Sequence, residues 1–233
     1  MRSPSDGILE KLIADDLMTS GIGRASFESL ERYVTTCENL GSILAIHDVW
    51  QPPSSDLLVG SPESVPFHCD GPVPDVVAWF CVRQDEEAGE SLLADTLPIL
   101  RGLEPEQRAH LRSVTIPYFD DAHPGGPAGT CALLRGDDEA DWRINYTPWH
   151  LPEMDEGQKA AVAAFDQALS TVPPTSCRLA AGEAIFVDNW RILHARGPLR
   201  ADSRRHLKRV WLRTPRASRL DRIAARPDRR AAL

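Results

Sequence analysis

The chain has no run approaching the roughly 20 uninterrupted apolar residues of a membrane-spanning helix. Its first residues, MRSPSDGILEKLIADD, lack the basic, apolar and small-residue order of a secretory signal. A cytoplasmic protein without membrane association is the expectation. Cysteines are few and scattered: Cys37, Cys69, Cys81, Cys131 and Cys177 stand singly, with no Cys-x-x-Cys pair. That odd, irregular set argues against a disulfide framework or a thiolate zinc knuckle, and reduced, mostly buried thiols are expected. Positive charge is not in excess either. The formal net charge is -8, and the 14 Lys and Arg after residue 190 leave an acidic body before them, which argues against general nucleic-acid binding. No internal repeat is visible, and helices do not alternate regularly with strands as a parallel doubly wound sheet requires.

What is present is an ordinary globular composition, 42% apolar and 26% charged over 233 residues, enough to bury a core without staples. Apolar residues recur at helical spacing over Ile8 to Met18 and Ser26 to Leu40, and again over Glu104 to Leu111 and Glu153 to Leu169. Strand-length apolar or alternating runs cover Ser42 to Asp48, Asp75 to Val82, Glu90 to Ala94, Ser113 to Phe119, Thr130 to Leu134, Trp142 to Tyr146, Ser176 to Leu179, Glu183 to Val187 and Leu207 to Leu212. Many short strands with few helices predict a mainly β sandwich or barrel with flanking helices. A single domain is expected, with its core over about 42–213, helices over 8–40 before it and a basic tail over 216–233 to which no chemistry is assigned. The Pro/Gly clusters at Gln51 to Pro66 and Ala122 to Gly129 read as long loops within it.

Chemistry concentrates in Pro66-Phe67-His68-Cys69-Asp70-Gly71, taken with Ile192-Leu193-His194-Ala195-Arg196-Gly197. Residues two apart on a strand or its end face one side, so His68 and Asp70 can address one point. Two imidazoles and a carboxylate on one face of a metal form the triad of non-haem Fe(II) oxygenases, leaving positions open for other ligands. His-x-Asp alone is weak, and it is the surrounding pattern that sets this pair apart from His47, His110, His123, His150 and His206. Tyr146 and Trp149 read as core aromatics, Asp85 to Glu87 as a solvated turn and Glu183 as part of a turn into a strand.

The wider pattern resembles the taurine dioxygenase and clavaminate synthase-like superfamily of Fe(II)/2-oxoglutarate-dependent oxygenases. Phe67 to Gly71 resembles its first metal-binding motif, and Pro74 to Cys81 its next core strand. Ala88-Gly89-Glu90-Ser91-Leu92-Leu93-Ala94-Asp95-Thr96 is similar to its Gly-Glu-(Ser/Thr) strand, with Ala88 where the family has a glycine. Gly182 to His194 resembles a strand, an Asn-x-Arg turn and the second metal histidine. Arg204 to Arg209 matches the last core strand.

The resemblance implies a double-stranded β-helix, a cupin-like jelly-roll, with His68, Asp70 and His194 holding Fe(II). It implies that Thr96 and Arg205 bind 2-oxoglutarate and that Arg209 takes the anionic group of a small carboxylate substrate. A guanidinium fork suits carboxylates in a way lysine does not. The implied reaction consumes 2-oxoglutarate and O2, releases succinate and CO2, and hydroxylates an unactivated C–H bond of an amino acid or an amino-acid-derived intermediate of specialised metabolism. Alternatives are desaturation, epoxidation or cyclisation by the same chemistry, a triad that holds zinc, or a non-catalytic jelly-roll that binds a metabolite or metal. Cys69, between the first two ligands, should face the other way and so not join the site.

Overall fold

The computed structural model describes residues 7–50, 62–119 and 126–215. Residues 51–61 and 122–125 of the two expected loops, His123 among them, and the basic tail from residue 216 lie outside these. In chain order the elements are α1 (Ile8–Thr19), β1 (Ile22–Ser26), α2 (Leu30–Leu40), β2 (Ser42–Trp50), β3 (Val65–His68), β4 (Val76–Arg83) and β5 (Ser91–Asp95). Then come α3 (Thr96–Gly102), α4 (Pro105–Ser113), β6 (Thr115–Tyr118), β7 (Gly129–Ala132), β8 (Leu134–Arg135), β9 (Arg143–Ile144) and α5 (Glu156–Thr171). The chain continues through β10 (Thr175–Cys177), β11 (Glu183–Asp188), β12 (Ile192–Arg196) and β13 (His206–Arg213).

Two antiparallel sheets face each other. One runs β1-β11-β4-β13-β2 and the other β10-β5-β12-β3, with two short hairpins, β6-β7 and β8-β9, beside them. Strand alternation divides the apolar side chains among three cores. Val77, Trp79, Cys81, Leu93, Ile185, Val187, Ile192, Leu207 and Trp211 fill the space between the sheets. On β4 and β11 the alternate residues Val76, Ala78, Phe80, Ala184 and Phe186 point outward, where Ile13, Leu17, Phe27, Tyr33 and Cys37 from the N-terminal segment cover them. Ala94 and Leu193, on the outer face of the four-stranded sheet, pack under Ile99, Leu100, Leu111 and Phe165 from α3, α4 and α5. This is a jelly-roll with helices on both outer faces.

Several elements differ from the sequence reading, among them β12, which none of the strand-length runs covered, and Thr130 to Leu134, which divides between β7 and β8. The stretch from Ser26 is not all helix: Ile22–Ser26 pairs with β11, and α2 starts after Ser29, whose hydroxyl accepts the Arg32 N–H as an N-cap. Strand β3 contains Pro66 and lies at a sheet edge, where a missing N–H costs no ladder bond. Helix α3 carries Pro98 in its first turn, where N–H groups have no intrahelical partner, and the Asp95 carboxylate caps it through the Leu97 N–H at 3.0 Å. Among the described residues no helix is long and apolar enough to cross a membrane.

Candidate active site

His194 lies on β12 directly opposite His68 on β3 and opposite Leu93 on β5. Directly opposed residues share a face, so both imidazoles point between the sheets, their ring centroids 4.3 Å apart. The pairing of β12 with β3 shifts register between His194 and Arg196, a bulge that lets Val65 line the same space as His68. Strand β3 ends at His68, so Asp70 reaches the site from the turn beyond. Its carboxylate is only 4% exposed, with Oδ1 3.3 Å from His194 Nε2 and 3.8 Å from His68 Nε2. The other oxygen, Oδ2, accepts from Trp211 Nε1 at 2.6 Å and is 3.0 Å from Arg209 Nη1.

Burial works against a charged Asp70, but Arg209 and the hydrogen bond with His194 outweigh it and hold the carboxyl far below the usual range. Burial, then the neighbouring His194, pushes the His68 imidazole down to about 3, so it is neutral at working pH. The carbonyl of Pro66, 2.8 Å from His68 Nδ1, accepts a hydrogen bond from that nitrogen, which keeps the proton on Nδ1 and leaves the Nε2 lone pair facing the site.

One atom each from His68, Asp70 and His194 lies within 4.8 Å of the others, a group that could hold a metal ion. Adjacent ligands about 2.1 Å from one ion stand about 3 Å apart, so only ordinary side-chain adjustment separates this set from a closed shell. Two imidazoles with one carboxylate, and no thiolate, suit Fe(II) better than a structural zinc. Cys69 does turn away: its sulfur accepts the Tyr146 N–H at 3.2 Å in the core beneath α5.

From the histidines a cavity runs between the sheets, lined by Trp79, Ser91, Leu93, Ile185, Leu207 and the arginines Arg196, Arg205 and Arg209. Arg205 is 5% exposed, and its Nη2 donates to Ser91 Oγ at 3.3 Å. Burial first, then Arg196, pulls its pKa down to about 10, so it stays cationic in a space that favours an anion. Its side chain passes over Gly89, where a Cβ would meet Arg205 Cδ at 3.0 Å and Leu199 Cδ2 at 2.6 Å. Only glycine leaves that path open.

Thr96 does not belong to this cavity. It begins α3, its hydroxyl donates to the Arg191 carbonyl at 2.7 Å, and it borders a separate depression with Trp142 and Trp190. The β5 residue that does face inward beside Arg205 is Ser91, opposite Arg196 in the β5–β12 register. Arg196, on the face of β12 that carries His194, is 7% exposed and donates to the Glu63 carbonyl at 2.8 Å. The sequence offers it as surface charge, and its two-residue spacing from His194 is the signal that could have placed it here.

The remaining candidates divide cleanly. Tyr146 is core, donating to Asp166 Oδ1 at 2.6 Å. Trp149 is 41% exposed, with its ring 5.0 Å from His68, at the rim of the site. His47 sits opposite Arg209 in the β13–β2 register with its ring 5.0 Å from Trp211, closer to the triad than its isolated sequence setting suggested. Glu183 accepts a turn hydrogen bond from Ala180 N at 2.7 Å, whereas Asp85 does more than end a solvated turn: it accepts from the distant Arg204 N at 3.0 Å.

A jelly-roll with two histidines and a carboxylate at the mouth of an arginine-ended cavity defines a class, the non-haem iron oxygenases that use a 2-oxo acid. Comparison with known proteins gives the family. A model described as the taurine catabolism dioxygenase TauD, TfdA family matches residues 45–211. The chain belongs to this dioxygenase family, which uses Fe(II), 2-oxoglutarate and O2.

Among curated proteins, 3-((Z)-2-isocyanoethenyl)-1H-indole synthase of Fischerella ambigua is 27% identical over 197 residues, covering 75% of this chain and 71% of that one. Clavaminate synthase 2 of Streptomyces clavuligerus is 32% identical over 202 residues, which are 80% of this chain but 62% of the synthase. Solved structures share the fold. Asparagine oxygenase with Fe(II), 3-hydroxyasparagine and succinate superimposes with a TM-score of 0.75 at 18% identity, over 88% of this chain and 79% of that one. The non-haem iron oxygenase OrfP with Fe and alpha-ketoglutaric acid gives 0.70 at 19% identity, over 92% and 82%.

Proposed function

We propose that the protein hydroxylates an unactivated C–H bond of a small carboxylate, an amino acid or an intermediate derived from one, in the cytoplasm. The observation that carries this reading is the convergence of His68, Asp70 and His194 on a cavity that also holds Arg205. His68, Asp70 and His194 are the metal ligands in this proposal. When bound there, Fe(II) with 2-oxoglutarate and O2 supplies the oxidising power, giving succinate and CO2 and placing one oxygen atom on the substrate.

The chain's own part is placement. Arg205 forks the distal carboxylate of 2-oxoglutarate, and Ser91 donates its hydroxyl hydrogen to the same group. Leu93, Ile185 and Leu207 line the cavity between arginine and triad, keep water out and strengthen that ion pair. Trp211 fixes Asp70 Oδ2 while Arg209 Nη1 spans both carboxylate oxygens, at 3.0 Å from Oδ2 and 3.2 Å from Oδ1, and Oδ1 is the oxygen that faces the histidines. Arg209, at the metal end, meets the substrate's carboxylate, and Trp149 at the rim gives the substrate an apolar wall. Positioning of one C–H bond, rather than proton transfer, then selects the product.

Support for an amino-acid-derived substrate comes from the names of similar proteins: asparagine oxygenase, OrfP crystallised with hydroxyarginine, and clavaminate synthase. A second reading, desaturation, is favoured by the ethenyl group in the product name of the indole synthase. The five free thiols, four of them buried, fit a reducing compartment. The test is to supply Fe(II), O2 and 2-oxoglutarate with a panel of amino acids and follow succinate and product mass. Succinate formed faster with one acid, with a product 16 Da heavier, supports hydroxylation; a product about 2 Da lighter supports desaturation. No 2-oxoglutarate turnover under any condition overturns both.

A further inference from the structure

Asn189 lies in the turn between β11 and β12, five residues before His194, and is completely buried. Its side chain commits every strong hydrogen bond to one distant segment. Oδ1 accepts the Asp70 N–H at 2.9 Å, while Nδ2 donates to the carbonyls of Gly71 at 2.8 Å and Pro74 at 3.0 Å. The Asn189 backbone N–H adds a fourth tie, to the Asp75 carbonyl at 2.9 Å. The neighbouring Trp190 donates from Nε1 to Pro72 at 3.3 Å.

These ties matter because no ladder holds Asp70. Strand β3 stops at His68 and β4 begins at Val76, and the segment between turns through Gly71 at a φ of +74°. The two histidines are fixed by opposed strands. The carboxylate's backbone is fixed by an amide carried on the turn that leads into the second histidine's strand.

We propose that Asn189 is a positioning residue for the metal centre, holding Asp70 in register with His194. It touches neither metal nor substrate in this account. It sets where the Asp70 Cα stands, while Arg209 and Trp211 set which way its carboxylate turns. The inference rests on the reading of His68, Asp70 and His194 as metal ligands. An amide is the side chain this turn requires, because the site offers one N–H donor and two carbonyl acceptors. Aspartate has the size but no donors, and alanine leaves all three partners unsatisfied.

The test is anaerobic titration of the full-length apoprotein with Fe(II) alone, followed by quenching of tryptophan fluorescence. Trp79 and Trp149 stand 4.8 and 5.0 Å from the ligand rings and report on the site. Asn189→Ala and Asn189→Asp are compared with wild type and with Val210→Ala, a cavity in the core under the N-terminal helices. The expected result is a 10- to 100-fold loss of Fe(II) affinity, on the order seen for outer-shell partners of metal ligands. Val210→Ala should melt earlier yet bind Fe(II) as wild type does.

Equal affinity in wild type and both Asn189 variants overturns the inference and leaves the metal site standing. An equal loss in Val210→Ala also overturns it, since general destabilisation then explains the effect. No Fe(II) binding by folded wild type overturns the metal site itself. Should neither Asn189 variant fold, hydrogen exchange of the Asp70 amide in the wild-type apoprotein decides: core-like protection supports the clamp, and exchange at the rate of an unprotected amide overturns it.

Discussion

Replacing Arg205 by alanine should cripple cosubstrate binding, and its neighbours make the effect diagnostic. The guanidinium is 5% exposed, remains cationic despite a pKa pushed down to about 10, and has an Nε without a hydrogen-bond partner among the described residues. A distal carboxylate docking there forms a desolvated charge-assisted pair, and truncating one partner of such a pair costs about 2–4 kcal/mol. At about 1.4 kcal/mol per tenfold, the KM for 2-oxoglutarate rises about 30- to 700-fold. Arg205→Lys keeps the charge but not the fork and falls between.

Ser91→Ala removes one neutral hydrogen bond, worth about 0.5–1.5 kcal/mol, and should raise the same KM about 2- to 12-fold. Thr96→Val removes a hydroxyl that serves the Arg191 carbonyl, so it should lower the melting temperature while leaving this KM alone. The assay is initial-rate succinate formation over a range of 2-oxoglutarate at saturating Fe(II). A normal KM in Arg205→Ala, or a large rise in Thr96→Val with none in Ser91→Ala, would refute the placement of the cosubstrate.

Three further outcomes follow from the same geometry. Arg209→Ala also releases the Asp70 carboxylate and should weaken Fe(II) binding, but at saturating Fe(II) it should raise the KM for substrate by tenfold or more with the 2-oxoglutarate KM within about threefold, since loss of a buried charge pair costs about 2 kcal/mol or more; the opposite pattern would mean the two arginines have exchanged roles. Ala88, held at a φ of +64°, pays for a conformation suited to glycine. Ala88→Gly should stabilise the fold by about 0.5–1 kcal/mol and raise Tm by about 1–4 °C, and a lower Tm by calorimetry would contradict this. Burial pushes the thiols of Cys37 and Cys69 up to about 12 and that of Cys81 up to about 11, so at pH 8 almost no thiolate is present. Native protein should alkylate first at half-buried Cys131, with all five reacting only after denaturation; rapid native labelling of Cys37 or Cys69, mapped by mass spectrometry, would contradict the packing.

The fold was legible where pattern and packing agree. Asp75 to Val82 was read as a strand and is one over Val76–Arg83, alternating between two cores, and Glu156–Thr171 carries its helical period into the core through Ala161, Val162, Phe165 and Leu169. Where tertiary pairing overrides local pattern, the reading slipped. Ile22–Ser26 becomes a strand only because β11 lies beside it, and Pro66 sits in a strand only because that strand is an edge.

The site divides the same way. His68, Asp70, His194, Arg205 and Arg209 were visible as residue types in a motif, and the structure lines one cavity with the two histidines and both arginines and sets Asp70 against the histidines and Arg209. The resemblance pointed to Thr96 at the end of its strand, yet pairing of β5 with β12 turns Ser91 and Leu93 inward, and the next turn of chain carries Thr96 away into α3. Asn189 could be noticed as part of an Asn-x-Arg turn, but its grip on Asp70 spans 119 residues and appears only in three dimensions.

The central claim is that His68, Asp70 and His194 bind iron in a form that accepts 2-oxoglutarate. The most direct measurement adds Fe(II) and then 2-oxoglutarate to the anaerobic apoprotein and records the visible spectrum. A weak charge-transfer band that appears only with both additions, and is lost in folded His194→Ala, is the result predicted. Its absence in well-folded wild-type protein would contradict the account.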